Sequence, residues 1–196
     1  MTHPDPAWLT RALGGTPATA RLSIARLADA ESLGRGGFAL ASPAFTDGGE
    51  LDPSFTAHEE DAVAPPLEWT APPAGAAELV LIVEDADAGA GEAPCHWLVW
   101  GLPAQRAKLL EGETPPRTGK NASGNSEWLL PRLSADDGTR RYVFQLFASD
   151  VPLTARPGAA REDIVKALDG HVVAAAILTG SFARPEEDEQ WDDGDI

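Results

Sequence analysis

Residues 78–85 read ELVLIVED and residues 95–102 read CHWLVWGL. The first is a continuous apolar run between turn signals; the second is rich in aromatic and branched side chains. Both are the length of strands rather than helices, and unbroken apolarity predicts strands covered on both faces. RRYVFQLFASD (140–150) is a third strand, with Tyr142, Phe144 and Leu146 on one face and Val143, Gln145 and Phe147 on the other. HVVAAAILTGSF (171–182) is a last strand. REDIVKALD (161–169) spaces Ile164, Val165 and Leu168 as a helix does, and Gly170 stops it.

Upstream the signals are shorter. FALASPAF (38–45) alternates as a strand, and RLSIARLA (21–28) does the same. Asp5-Pro6-Ala7 before Trp8, Leu9 and Leu13, with Gly14-Gly15 behind, predicts a short helix capped by Asp5. Gly34-Arg35-Gly36-Gly37 is a hinge into the main domain. Glycine and proline (19 and 17 of 196 residues) stand well above average use, which is about 12% together. They concentrate in long connections. Many short strands, Pro-rich loops and one late helix predict a mostly β protein, a β-sandwich with minor helices.

The chain is one domain with tails: an N-terminal extension (1–36), a main domain (37–184) and an acidic end (185–196). There are 31 acidic and 15 basic side chains, for a net charge of −16. Seven of the acids, from Glu186 to Asp195, lie in the last twelve residues with no base among them, which reads as a solvated tail with Trp191 able to dock. Such acidity argues against nucleic acid or an anionic membrane as the main partner. No apolar run is long enough to span a membrane, and the first fifteen residues do not resemble a secretory signal. A single cysteine, Cys95, fits a cytoplasmic protein without disulfides.

No motif of a metalloprotease, a nucleophile elbow or a phosphate-binding loop occurs. Two polar constellations stand out. Glu84-Asp85-Ala86-Asp87 ends one buried strand, and Cys95-His96-Trp97 opens the next, so carboxylates and an imidazole can meet at one sheet end. A metal on Asp85, Asp87 and His96 is weakly indicated, since one His with two carboxylates is a poor ligand set, and no cofactor is expected. Arg140-Arg141-Tyr142 opens a strand, with Arg140 and Tyr142 on one face. With Lys120 and Arg132 it predicts a spot that attracts anions.

Read in order, these pieces resemble the phosphatidylethanolamine-binding protein family, in its bacterial and archaeal Raf-kinase-inhibitor-like branch. SPAFTDGGELDPSFT (42–56), APPLEW (64–69), LIVEDADA (81–88), CHWLVWGLPA (95–104), GKNASG (119–124), RRYVFQLFASD (140–150) and ALDGHVVAAAILTGSFAR (167–184) follow the family's seven motifs. The resemblance implies an antiparallel β-sandwich with a large central sheet and one or two short helices. It also implies a small pocket for phosphate-like or phosphoethanolamine-like anions. Asp85 and Asp87 take the family's two aspartates, His96 the first pocket histidine, Arg140 the second, Tyr142 the tyrosine after it, and Pro131 the pocket wall. Ala86, Trp128, Leu130 and Arg140 depart from the family's proline, tyrosine, glycine and histidine.

The expected function is non-enzymatic binding of a small anion, with regulation or inhibition of another protein. Arg140 would pair with the anion, His96 would donate to it, and Asp85 would orient His96. Two other readings are a hydrolase using His96 with Asp85, and a scaffold with a vestigial pocket. Cys95 and His96 should point to opposite strand faces. Trp8, Leu9 and Leu13 form an apolar stripe that could serve a homodimer or pack on the domain itself.

Overall fold

The computed structural model describes residues 5–15, 19–89, 91–134 and 137–183. The acidic end and its Trp191 lie outside the described residues. Among the described residues eight strands make two sheets: β1 (Leu40–Ala41), β2 (Gly49–Glu50), β3 (Leu67–Trp69), β4 (Glu78–Asp85), β5 (Cys95–Pro103), β6 (Ala107–Leu109), β7 (Arg140–Ser149) and β8 (Val172–Phe182). The large sheet has the order β2-β8-β7-β4-β5, antiparallel except for β2 against β8. The small sheet is β1-β3-β6, all antiparallel. The helices are α1 (Ala7–Ala12), α2 (Ser23–Leu27) and α3 (Arg161–Leu168).

β4 lies between β5 and β7 and is buried at all eight residues. Its odd positions, Leu79, Leu81 and Val83, enter the core between the sheets with Trp69, Trp97, Phe144 and Leu178. Val80 and Ile82 enter a second core on the outer face, under Leu9, Leu22 and Ile24 of the N-terminal segment and Ile164, Val165 and Leu168 of α3. Helices, large sheet and small sheet thus form three layers. Two cores on one strand are the physical cause of its unbroken apolar sequence.

The free edge of β5 is covered by residues 117–119: Trp100 N–H donates to Arg117 O and Gly119 N–H to Leu98 O. A Cβ on Gly119 would sit 2.6 Å from the carbonyl oxygen of Ala159, so only glycine fits.

Three local expectations are corrected. Residues 21–28 are not a strand but a 3-10 turn (Thr19–Arg21) followed by α2. Leu22, Ile24 and Leu27 pack on the outer face, and the amides a strand would give to a ladder go to side chains instead. Ser23 N donates to Glu84 Oε2 at 2.7 Å, and Ile24 N to Gln145 Oε1 at 2.8 Å. The strand expected over 38–45 shrinks to β1, because Ser42 Oγ donates to Pro66 O and accepts from Ala44 N. Asp5 does not cap α1. Pro6 holds that position with no side-chain bond, and Asp5 Oδ1 accepts from Ala20 N at 2.7 Å. The stripe of Trp8, Leu9 and Leu13 packs on its own domain, so the homodimer expectation loses the surface it rested on.

Candidate functional site

Asp85 ends β4 on the face toward the small sheet, paired in register with Tyr142 of β7. On the other side β5 carries a bulge. Val83 pairs with Trp97 but Glu84 pairs with Cys95, so His96 is the extra residue. The bulge lets Cys95 enter the outer core while Trp97 enters the inner one, and it aims His96 at Tyr142. The His96 and Tyr142 rings meet edge to face with centroids 4.9 Å apart, and Trp128 lies 6.1 Å from His96. As the alternation implied, Cys95 and His96 face opposite ways.

Asp85 is 2% exposed and fully engaged. Its Oδ1 accepts from the amides of Asp87 and Ala88, both at 2.9 Å, and its Oδ2 from Arg140 Nη1 at 3.0 Å. Arg140 Nη2 donates to Asp137 Oδ1 at 2.6 Å. The structure therefore brings Asp85, His96, Arg140 and Tyr142 together, with Asp137 as a second carboxylate on the guanidinium. Sequence reasoning missed Asp137; the signal was its spacing, i and i+3, ahead of Arg140.

Other expectations about these residues differ from the structure. Asp87 is hydrogen-bonded to Arg141 and not to Arg140. It grips Arg141, accepting from the backbone amide and Nε at 2.8 Å each and from Nη2. Asp85 does not orient His96 through a hydrogen bond: His96 Nδ1 donates to Leu129 O at 2.7 Å. Pro131 is buried in the same loop, and its carbonyl accepts from Ala57 N at 2.9 Å. Among the described residues no hydrogen bond or ion pair joins Pro131, Lys120 or Arg132 to Asp85, His96 or Arg140.

The electrostatics follow from burial and these pairs. Burial holds His96 below its ordinary imidazole range, and Arg140 adds to that. The Leu129 carbonyl and Asp85 push the other way and lose. His96 is thus neutral near pH 7, with its proton on Nδ1 and Nε2 left as an acceptor. Burial, helped by Asp85, keeps the Tyr142 phenol protonated. Among the described residues its hydroxyl has no hydrogen-bond partner. Burial alone would raise the Asp87 carboxyl, but Arg141 outweighs it and the net direction is down.

A cleft of about 440 Å³ is lined by Trp97, Trp128, Thr118, Asn121, Glu113 and Arg132. Asp85, His96, Arg140 and Tyr142 are not among its walls. Trp128 lines the cleft and also lies beside His96, fixed by its Nε1 donating to Phe55 O at 3.0 Å. Among the described residues no group of three or more His, Cys, Asp or Glu is placed to hold a metal ion.

Residues 41–183 match the model of the phosphatidylethanolamine-binding protein family. The chain belongs to that family. A UPF0098 protein of Methanothermobacter thermautotrophicus is 34% identical over 152 residues, covering 74% of this chain and 98% of that protein. A Mycobacterium tuberculosis protein named as the lipoprotein LppC is 36% identical over 145 residues, covering 73% of this chain and 71% of that one. The crystal structure of a phosphatidylethanolamine-binding protein homologue, CT736 of Chlamydia trachomatis, superposes with a TM-score of 0.70. It is 31% identical and covers 75% of this chain and 97% of that one. The expected fold holds, with a five-stranded sheet as its large layer. Within this phosphatidylethanolamine-binding protein family member, no described helix is long and apolar enough to cross a membrane.

Proposed function

We propose that this protein is a non-enzymatic, cytoplasmic binding protein for a small anion of phosphate or phosphoethanolamine type, and that occupancy of the site regulates another protein. The observation that carries this reading is the Arg140 guanidinium, anchored on buried Asp85 and flanked by His96 and by the Tyr142 hydroxyl, which has no hydrogen-bond partner among the described residues. A fixed guanidinium presents its remaining N–H groups at low entropic cost, and a charge-assisted bond there is about twice as strong as a neutral one.

The anion takes the place of Asp137 on Nη2 and accepts from Tyr142. His96 donates to it only after Nε2 gains a proton, because Nδ1–H is committed to Leu129 O. A ligand ammonium group would then pair with the released Asp137. Cys95, the residue next to His96, supports no hydrolytic alternative. It lies on the opposite face, and burial pushes its thiol up to about 12.

The test is a titration with inorganic phosphate and, separately, phosphoethanolamine, followed through the His96 ring signals by NMR. Saturable shifts are expected for the unsubstituted protein and none for Arg140→Ala. An unresponsive His96 in the unsubstituted protein would sink the proposal.

A further inference from the structure

The N-terminal segment lies outside the family match, which begins at residue 41. The M. thermautotrophicus relative is covered over 98% of its length by only 74% of this chain, so it has no room for a counterpart. Yet in this protein the segment reaches the back of the candidate site. Arg21 donates through Nη1 to Gly89 O and through Nη2 to Ala86 O at 3.4 Å. Ser23 donates through both its amide and its hydroxyl to Glu84, at 2.7 Å each. Glu84 and Ala86 are the two residues flanking Asp85.

The turn over residues 85–89 is thus held from two sides. Inside, Asp85 Oδ1 gathers the amides of Asp87 and Ala88. Outside, one planar guanidinium spans two carbonyls of the same turn, a fork that a single point charge cannot reproduce. Position 86 is alanine, whose φ is not locked as a proline's would be. Its N–H is spent on Arg141 O at 2.8 Å, and its carbonyl is the group that Arg21 holds. Leu22 and Ile24, on either side of Ser23, are buried in the outer core, so the clamp is anchored by apolar contact as well.

We propose that the N-terminal segment is a built-in positioning element for the anion site, with Arg21 and Ser23 setting the Asp85–Asp87 turn so that loosening the segment weakens anion binding. The proposal rests on the anion-binding reading for its second half only. Arg21 and Ser23 are positioning residues, acting through Asp85 on Arg140.

Two measurements test it on the full chain. The first is amide hydrogen exchange of Asp87 and Ala88 without any ligand; the second is the inorganic phosphate titration of His96. Arg21→Ala is expected to speed exchange at both amides by roughly tenfold or more, the effect of losing charged hydrogen bonds, and to weaken the phosphate response similarly. Exchange at Leu146, in the middle of β7 and paired with Leu81 on one side and Ala176 on the other, is expected to stay unchanged. Arg21→Lys should fall between the two, and covers the case in which Arg21→Ala folds poorly. Arg26→Ala, on the same segment as Arg21, breaks only an exposed ion pair with Glu162 of α3 and should alter neither readout. Unaltered exchange at Asp87 and Ala88 in both Arg21 variants overturns the proposal. Faster exchange with an unaltered phosphate response overturns the link to the ligand. If even the unsubstituted protein ignores phosphate, the anion reading fails, and exchange alone decides the positioning claim.

Discussion

Arg140 stands on Asp85: Nη1 meets Oδ2 at 3.0 Å, and the carboxylate beneath is only 2% exposed. The same guanidinium spends its other arm on Asp137, which is more exposed. The two carboxylates therefore do different work. Asp85 is a permanent base for the cation, whereas Asp137 occupies the position an incoming anion needs. Asp137→Ala is expected to tighten phosphate binding roughly twofold to fivefold, the worth of a partly exposed ion pair. Arg140→Ala should abolish binding. Isothermal titration with inorganic phosphate checks both, and weaker binding by Asp137→Ala would contradict the exchange of partners.

Protonation of His96 has opposite consequences for stability and for binding. Burial depresses its pKa below the ordinary 6.5. The unfolded chain takes up this proton as pH falls through 6.5, and the folded chain does not until a lower pH. Stability from neutral His96 is therefore full above 6.5, falls below it, and levels off under the folded value. A bound anion favours the imidazolium and reverses the preference. Sulfate, which keeps its charge throughout this range, is expected to bind more tightly as pH drops below 6.5. The gap between denaturant midpoints with and without sulfate should be smallest at high pH, where Arg140 alone supplies the charge, and should widen at low pH. A sulfate effect independent of pH would exclude His96 as a donor.

Much of this was legible in the residues, for identifiable reasons. β4, β5, β7 and α3 carry long, strongly patterned signals, because each is held by many apolar contacts of its own. Residues 21–28 misled because Leu22 and Ile24, two apart, mimic a strand. What bends them into α2 is a carboxylate and an amide, Glu84 and Gln145, far along the chain. The meeting of Asp85, His96, Arg140 and Tyr142 followed from family motifs. The partner choices did not, since Leu129 O on His96 and Asp137 on Arg140 depend on how one irregular loop folds back. His96's aim depends on a bulge, and one extra residue in a strand leaves no mark in an apolar run.

Cys95 should be chemically silent in the native state. Its thiol lies in the outer core, where burial first and Glu84 second push it up to about 12, against an ordinary 9.0. The thiolate fraction near pH 8 is then lower than in the unfolded chain by roughly a thousandfold. An aromatic disulfide reagent is expected to label urea-unfolded protein promptly and native protein slower by at least that factor. Prompt labelling of native protein would mean that the outer face opens far more readily than its packing indicates.

Glu84 offers the sharpest measure of how firmly the N-terminal layer is held. Its carboxylate is fully buried and accepts from four donors: the amide and hydroxyl of Ser23, Gln145 Nε2 at 2.7 Å, and Arg161 Nη1 at 2.8 Å. Removing one member of a buried ion pair is costly because the other is left without compensation. Glu84→Ala strands the Ser23 amide at the start of α2 and leaves Arg161, itself largely buried, with the Ser23 hydroxyl and the exposed Glu92 carboxylate as its acceptors. The expected loss is about 3–5 kcal/mol, read as a lower urea midpoint at unchanged slope. Glu84→Gln should cost less, since its oxygen can still accept from Ser23, but its amide nitrogen competes with Gln145 for acceptors. Serine-to-alanine replacement at Ser23 removes one donor and should cost about 1 kcal/mol, with Gln145 and Arg161 still in place. If Glu84→Ala lowers stability by less than Ser23→Ala, the carboxylate does not organise this layer, and α2 is held by Leu22, Ile24 and Leu27 together with the Gln145 bond to the Ile24 amide.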